Sequence, residues 1–224
     1  MHRKRQRLRQ RELEFRSWGG PRRGAGRKRA GPRARVPHCA RETLSARHPV
    51  HVTVRLHAGL PSLRQNAARA AIERSFRAAG ARVEFRLAEY SLQSNHVHLI
   101  AEASDESALS HGMQGLLVRV ARALNRLWRR RGSVFSDRYH ARQLRTPREV
   151  RTALVYLLHN ARHHGLRILG IDPFSSGRWF DGWNRGPAVA VRSAGAAART
   201  WLLRVGWRRH GLIGLEERPR EAPR

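Results

Sequence analysis

The chain has 224 residues, 40% of them hydrophobic, enough for one domain of ordinary size with a sizeable core. Lys+Arg number 46 against 16 Asp+Glu, a net charge of +30 and a pI near 12.0. That balance disfavours a housekeeping enzyme of neutral metabolites and points to a polyanion partner, most often nucleic acid.

Lys4 and Lys28 are the only lysines, as a GC-rich genome would produce, but such bias does not explain the scarcity of acids. Cys39 is the single cysteine, which excludes an intramolecular disulfide and a cysteine-based zinc site. No apolar run approaches the ~18–20 residues of a membrane span, and no apolar stretch follows the charged N-terminus. The expectation is a soluble protein of a reducing, bacterial-type cytoplasm, associated with the nucleoid and without membrane contact.

Residues 1–48 carry sixteen Arg/Lys against Glu12, Glu14 and Glu42, a net +13. Gly and Pro interrupt them, so they bury too little to offset their ordering entropy. They are expected to form a basic, largely disordered arm, with Arg27, Lys28 and Arg29 as candidate phosphate contacts. Order is expected from Pro49. Val50, Val52, Val54 and Leu56 alternate with His51, Thr53, Arg55 and His57, which predicts a strand. Pro61-Ser62 opens a helix whose C′ residue is Gly80. Val83, Phe85 and Leu87 predict a second strand, and Ser94 to Ala103 a third. A helix from Asp105 to Arg131 carries a stripe from Leu109 to Leu127 and stops at Gly132. A fourth strand covers Val134 to Arg145.

The order strand, helix, strand, strand, helix, strand predicts an α+β fold. Its core is ferredoxin-like βαββαβ, an antiparallel sheet with helices on one face. Thr146-Pro147-Arg148-Glu149 is a capping box with proline at the first helical position, and it opens a further helix reading to His164. This C-terminal helix completes a domain of residues 49–170. Residues 171–224 form a Trp- and Arg-rich tail, whose Trp179, Phe180 and Trp183 either dock on the domain or stack on bases.

Two segments carry chemistry. In Ser94-Asn95-His96-Val97-His98-Leu99-Ile100 a strand puts His96 and His98 on one face, where two imidazoles can chelate one divalent ion. The capped helix carries Tyr156 and Asn160 one turn apart. Tyr156 can supply a nucleophilic oxygen and Asn160 a carbonyl oxygen to a hard metal. Spacing alone leaves open that Tyr156 is a core aromatic and Asn160 a solvated amide.

With Phe135-Ser136-Asp137-Arg138-Tyr139-His140 and Tyr156-Leu157-Leu158-His159-Asn160-Ala161-Arg162, these stretches resemble the single-tyrosine HUH transposases. The likeness is to the IS200-like branch and the REP-associated tyrosine transposases, over about Pro49 to Gly165. Asparagine at 160 resembles the REP-associated branch.

The resemblance implies an endonuclease and strand-transfer enzyme that cuts and rejoins single-stranded, hairpin-forming DNA through a 5′-phosphotyrosine. It implies Tyr156 as nucleophile and His96, His98 and Asn160 as ligands of Mg²⁺ or Mn²⁺. Arg119, Arg122, Arg126 and Arg129 of the second long helix are candidate backbone contacts. Pairing of chains into a homodimer stays open. The competing expectation is a domesticated, non-catalytic nucleic-acid-binding protein on the same fold. An RRM-type module would carry aromatics where His96 and His98 stand.

Overall fold

A computed structural model of the protein describes residues 43–79, 82–186 and 194–218. Arg27, Lys28, Arg29, Cys39 and Gly80 lie outside these residues. Four strands form one antiparallel sheet: β1 (Val50–Arg55), β2 (Phe85–Leu92), β3 (His96–Ala103) and β4 (His140–Gln143). Helix α1 (Asn66–Ala79) joins β1 to β2, and α2 (Glu106–Leu127) joins β3 to β4. The order across the sheet is β2-β3-β1-β4. The α+β, ferredoxin-like plan expected from the sequence is the plan observed. Past it come α3 (Pro147–Leu158), α4 (Asn160–His163) and α5 (Trp201–Arg204), with 3₁₀ turns at Ser176–Trp179 and Gly206–His210. No helix among the described residues is long and apolar enough to cross a membrane.

Strand periodicity divides the sheet into two faces. Val50, Val52, Val54, Val97, Leu99 and Ala101 point to one side, where Ile72 and Phe76 of α1 and Met113, Leu116 and Val120 of α2 cover them. Phe85 packs so closely on α2 that a Cβ on Gly112 would meet its ring at 2.2 Å. The other face receives α3. Ile100 and Ala88 join Val150, Leu154, Leu157 and Leu158, and the cluster extends to Phe180, Trp183, Leu203, Trp207 and Ile213. A register shift between Leu87 and Glu89 lets Ala88 join this second cluster while Tyr90 and Leu92 stay in the first.

Element ends differ from expectation for identifiable reasons. Helix α1 starts at Asn66 because the residues before it tie down the loop: Leu63 N–H donates to the Ser94 carbonyl, and Arg64 donates to Leu92 O and to both oxygens of Asp172. Val83 precedes β2 and is exposed. Helix α2 ends at Leu127, since Arg129 takes φ +50° and Asn125 bonds Gly132 O and Arg130 across the turn. The fourth strand is only His140–Gln143. Phe135 makes a single bridge to Leu56, and Tyr139 turns into the core.

The capping box forms as expected, with Thr146 Oγ1 accepting from Glu149 N–H and the Glu149 carboxylate accepting from Thr146 N–H. The helix it opens is not continuous to His164. It breaks at His159, whose buried ring donates to Gly214 O at 3.1 Å and packs on Trp183. Those partners lie far along the chain and are invisible to local periodicity. Trp179, Phe180 and Trp183 are buried.

Candidate functional site

The site is built on the α3 side of β1 and β3. Antiparallel pairing sets Thr53 opposite His98 and Arg55 opposite His96, so these four side chains share one face with His51. His96 and His98 meet edge to face, with ring centroids 4.8 Å apart. Each ring is held through Nδ1. His98 Nδ1 lies 3.0 Å from Thr53 Oγ1 and 3.2 Å from His51 Nε2, and His96 Nδ1 lies 2.8 Å from Asn95 Oδ1. In both rings Nε2 is then the nitrogen left to meet a ligand.

Helix α3 brings Tyr156 over this pair. Its ring centroid is 5.2 Å from His98, 6.0 Å from His51 and 5.6 Å from His163. His164 follows α4 and packs on His96 at 5.3 Å. The other two tyrosines lie on the opposite face. Tyr90 is fully buried, and donates to Glu73 Oε1 at 2.8 Å. Burial, then the Glu73 carboxylate, pushes its phenol far above the usual range. Tyr139 is buried in the same cluster.

Burial keeps the imidazoles neutral. His96 and His51 are pushed down to about 4 from the ordinary 6.5, and His98 to about 2. Desolvation is the main cause throughout. Next come His164 and Arg55 for His96, His140 and Arg142 for His51, and His51, His96, His164 and Arg55 for His98. Neutral imidazole is the form that binds metal.

Among the described residues no three His, Cys, Asp or Glu side chains are grouped to hold a metal ion. Asn160 is fully buried, and its Oδ1 and Nδ2 have no hydrogen-bond partner. His98 Nε2 is buried and unpartnered too. Such atoms call for a partner. Asn160 lies one turn before His164, which touches His96. Two imidazoles and one carboxamide oxygen, with positions left for phosphate oxygens, fit a hard divalent cation.

The family profile described as "Transposase IS200 like" matches residues 47–159, half of the chain. The chain belongs to the IS200-like transposase family. No curated protein matches it. A solved structure described as "the REP associates tyrosine transposase bound to a REP hairpin" is similar at 17% identity. It has a TM-score of 0.49, over 63% of this chain and 82% of that one. The family match spans His96, His98 and Tyr156, and it stops one residue short of Asn160.

Of the residues singled out by sequence, His96, His98 and Tyr156 stand together; Asn160 is buried at the start of α4, one turn before the His164 that packs on His96. Arg119, Arg122 and Arg126 are exposed on α2, and Arg129 just beyond it, across the sheet from the histidines. Alternation carries the signal: Val97 and Leu99 point to α2, so their neighbours His96 and His98 point away from it. The cation at the histidines is Arg55. His51, Thr53 and Asn95 belong to the site without having been singled out by sequence. Periodicity alone makes His51, Thr53 and Arg55 a solvated strand face, but Tyr156 of α3 packs on His51, and His51 and Thr53 are half-buried while Arg55 stays exposed.

Proposed function

We propose that this IS200-like transposase cuts and rejoins single-stranded DNA with Tyr156 as nucleophile, and that His96, His98 and Asn160 hold Mg²⁺ or Mn²⁺. One observation carries the reading. Of three tyrosines, only Tyr156 stands at the histidine pair, half-buried, on the face that also bears the unpartnered His98 Nε2. A divalent cation there would polarise the scissile phosphate and offset charge as its ester bond breaks.

The chain's own groups supply the rest. The Tyr156 oxygen attacks phosphorus, the bond to the 3′ oxygen breaks, and the phenol's proton is matched by one taken up at the released 3′ hydroxyl. The products are a 5′-phosphotyrosine and a free 3′ end. The phosphodiester's energy is retained in the tyrosyl ester, so the reverse attack rejoins DNA without ATP. His163 stands beside the phenol, where its imidazole can take the proton. Thr53, His51 and Asn95 fix the ligand rings, which spares reorganisation during the reaction. Arg55 adds positive potential where the phosphate arrives.

The test is to incubate the protein with labelled single-stranded hairpin DNA and Mn²⁺, then run denaturing electrophoresis. A covalent band whose nucleotide maps to the Tyr156 peptide is the expected result. Binding with no adduct in any metal would identify a non-catalytic binder, and cutting without an adduct would identify water as nucleophile.

A further inference from the structure

A second cationic hollow lies beside α3, one helix position round from Tyr156. Its volume is about 390 Å³, and Arg148, Arg151, Thr152, His210, Glu217 and Arg218 line it. Residues 148, 151, 152 and 155 recur at helical spacing and so form one face of α3. Thr152 is one turn before Tyr156, and the two side chains are neighbours on the helix surface.

The charges in the hollow are unbalanced. Glu217 is its one acid among the described residues, and Arg151 engages it fully, at 2.7 Å to Oε1 and 2.9 Å to Oε2. Arg151 also donates to Gly211 O and Leu212 O, which leaves it little to offer a ligand. Burial opposes ionisation of Glu217, but hydrogen bonds from Arg151 and Gly214 N–H outweigh it and hold the carboxyl below its ordinary value. Arg148 and Arg218 are exposed at the rim, and no carboxylate among the described residues pairs with either. A positive, water-accessible hollow with two uncommitted guanidiniums and a hydroxyl is built for a phosphate group.

We propose that this hollow is a second phosphate subsite, which holds a backbone phosphate of the same single strand that reaches Tyr156. The proposal rests on the reading of Tyr156 as the nucleophile. Eight residues of helix separate Arg148 from Tyr156, about 12 Å at 1.5 Å per residue. At the ~3.4 Å per base of a stacked duplex strand that is roughly three or four nucleotides, and fewer for a more extended single strand. The subsite would grip the strand a few nucleotides from the break and keep the cut end in place for rejoining.

The experiment measures affinity of the full chain for labelled oligo-dT strands of increasing length, across a salt series. The variant is Arg148→Ala with Arg218→Ala, whose exposed side chains leave the fold intact by circular dichroism. Long strands should bind it about tenfold more weakly, with a log–log salt slope reduced by roughly 0.7 for each phosphate that is no longer neutralised. The shortest strands, which fill only the Tyr156 site, should bind as before. Lysine at both positions should restore most of the slope.

An unchanged length profile, or an equal loss at every length, overturns the proposal. It is overturned as well if inorganic phosphate stabilises the wild type but not the variant while the length profiles coincide, which would assign the hollow to a free anion. Catalysis is read separately: absence of a covalent adduct in the wild type, with the length-dependent loss intact, would sink the nucleophile reading and leave the subsite standing.

Discussion

The two faces of the sheet are made by the same strands and behave as different materials. Under α1 and α2, β1 and β3 present only apolar side chains, and nearly every one is buried. On the α3 side the alternate residues of the same strands are His51, Thr53, Arg55, His96, His98 and Glu102, with Ile100 the one apolar side chain among them. The first face belongs to the larger of the two buried apolar clusters. The second holds buried polar atoms without partners, which a stability-driven sheet would avoid.

Breaking the comparison starts at the phenol. Tyr156→Phe should abolish covalent adduct formation with little change in melting temperature or DNA affinity. Tyr90→Phe, on the opposite face, should keep cleaving but lose about 1 kcal/mol of stability, since it removes a buried hydrogen bond to Glu73. Adduct formation by the Tyr156 variant would move the chemistry elsewhere.

Leu99→Ala reverses that pattern. The residue is 1% exposed in the apolar cluster, so truncation should cost about 2–5 kcal/mol in urea unfolding. Cleavage per folded molecule should stay near normal well below the melting point. A selective loss of rate with stability preserved would show that the two faces are not separable.

Thr53→Val sharpens the contrast within one strand. It keeps the shape and removes the oxygen beside His98 Nδ1, so metal affinity, read by titration with Mn²⁺, should fall about 10–100-fold. Thr53→Ser should recover much of it. A loss of stability with unchanged metal affinity would make Thr53 a packing residue.

Acid should find the polar face first. His51 and His96 titrate near 4 when folded, against an ordinary 6.5. Between those values the unfolded chain binds more protons than the folded one, so stability is level above about pH 6.5 and falls as pH drops toward 4. Melting temperatures of chelator-treated protein should show that fall. His96→Gln with His98→Gln should flatten it, and a flat wild-type curve from pH 7 to 5 would refute the buried neutral imidazoles.

The smallest effect is expected from the exposed arginines of α2. Replacing Arg119, Arg122 and Arg126 by Ala should lower the salt dependence of DNA binding and leave the adduct rate at saturating DNA unchanged. These residues lie across the sheet from Tyr156, and a slowed rate would bring them into the reaction.

The sequence made much of this visible. Period-2 alternation located β1 and β3, and the capping box located the start of α3. His-x-His needed only the strand geometry to become a chelating pair. What stayed hidden was cover. Alternation shows that His51 and Thr53 oppose the apolar residues of β1, but not that a later helix lands on them. The break at His159 was equally hidden, since the carbonyl its ring bonds belongs to Gly214, 55 residues away.

Arg162 shows where the folding unit ends. Its guanidinium donates to the carbonyls of Ile168, Gly170 and Leu215, and it pairs with Glu216. Trp207 and Ile213, fully buried, close the apolar cluster that α3 begins. The family profile matches only as far as residue 159, yet α3, which ends beside that point, packs its apolar side against residues some fifty positions on. The stretch that defines kinship is thus shorter than the stretch that packs into one apolar cluster with α3. A protease that nicked the chain beyond Arg162 would loosen Asn160 and Tyr156 without touching either.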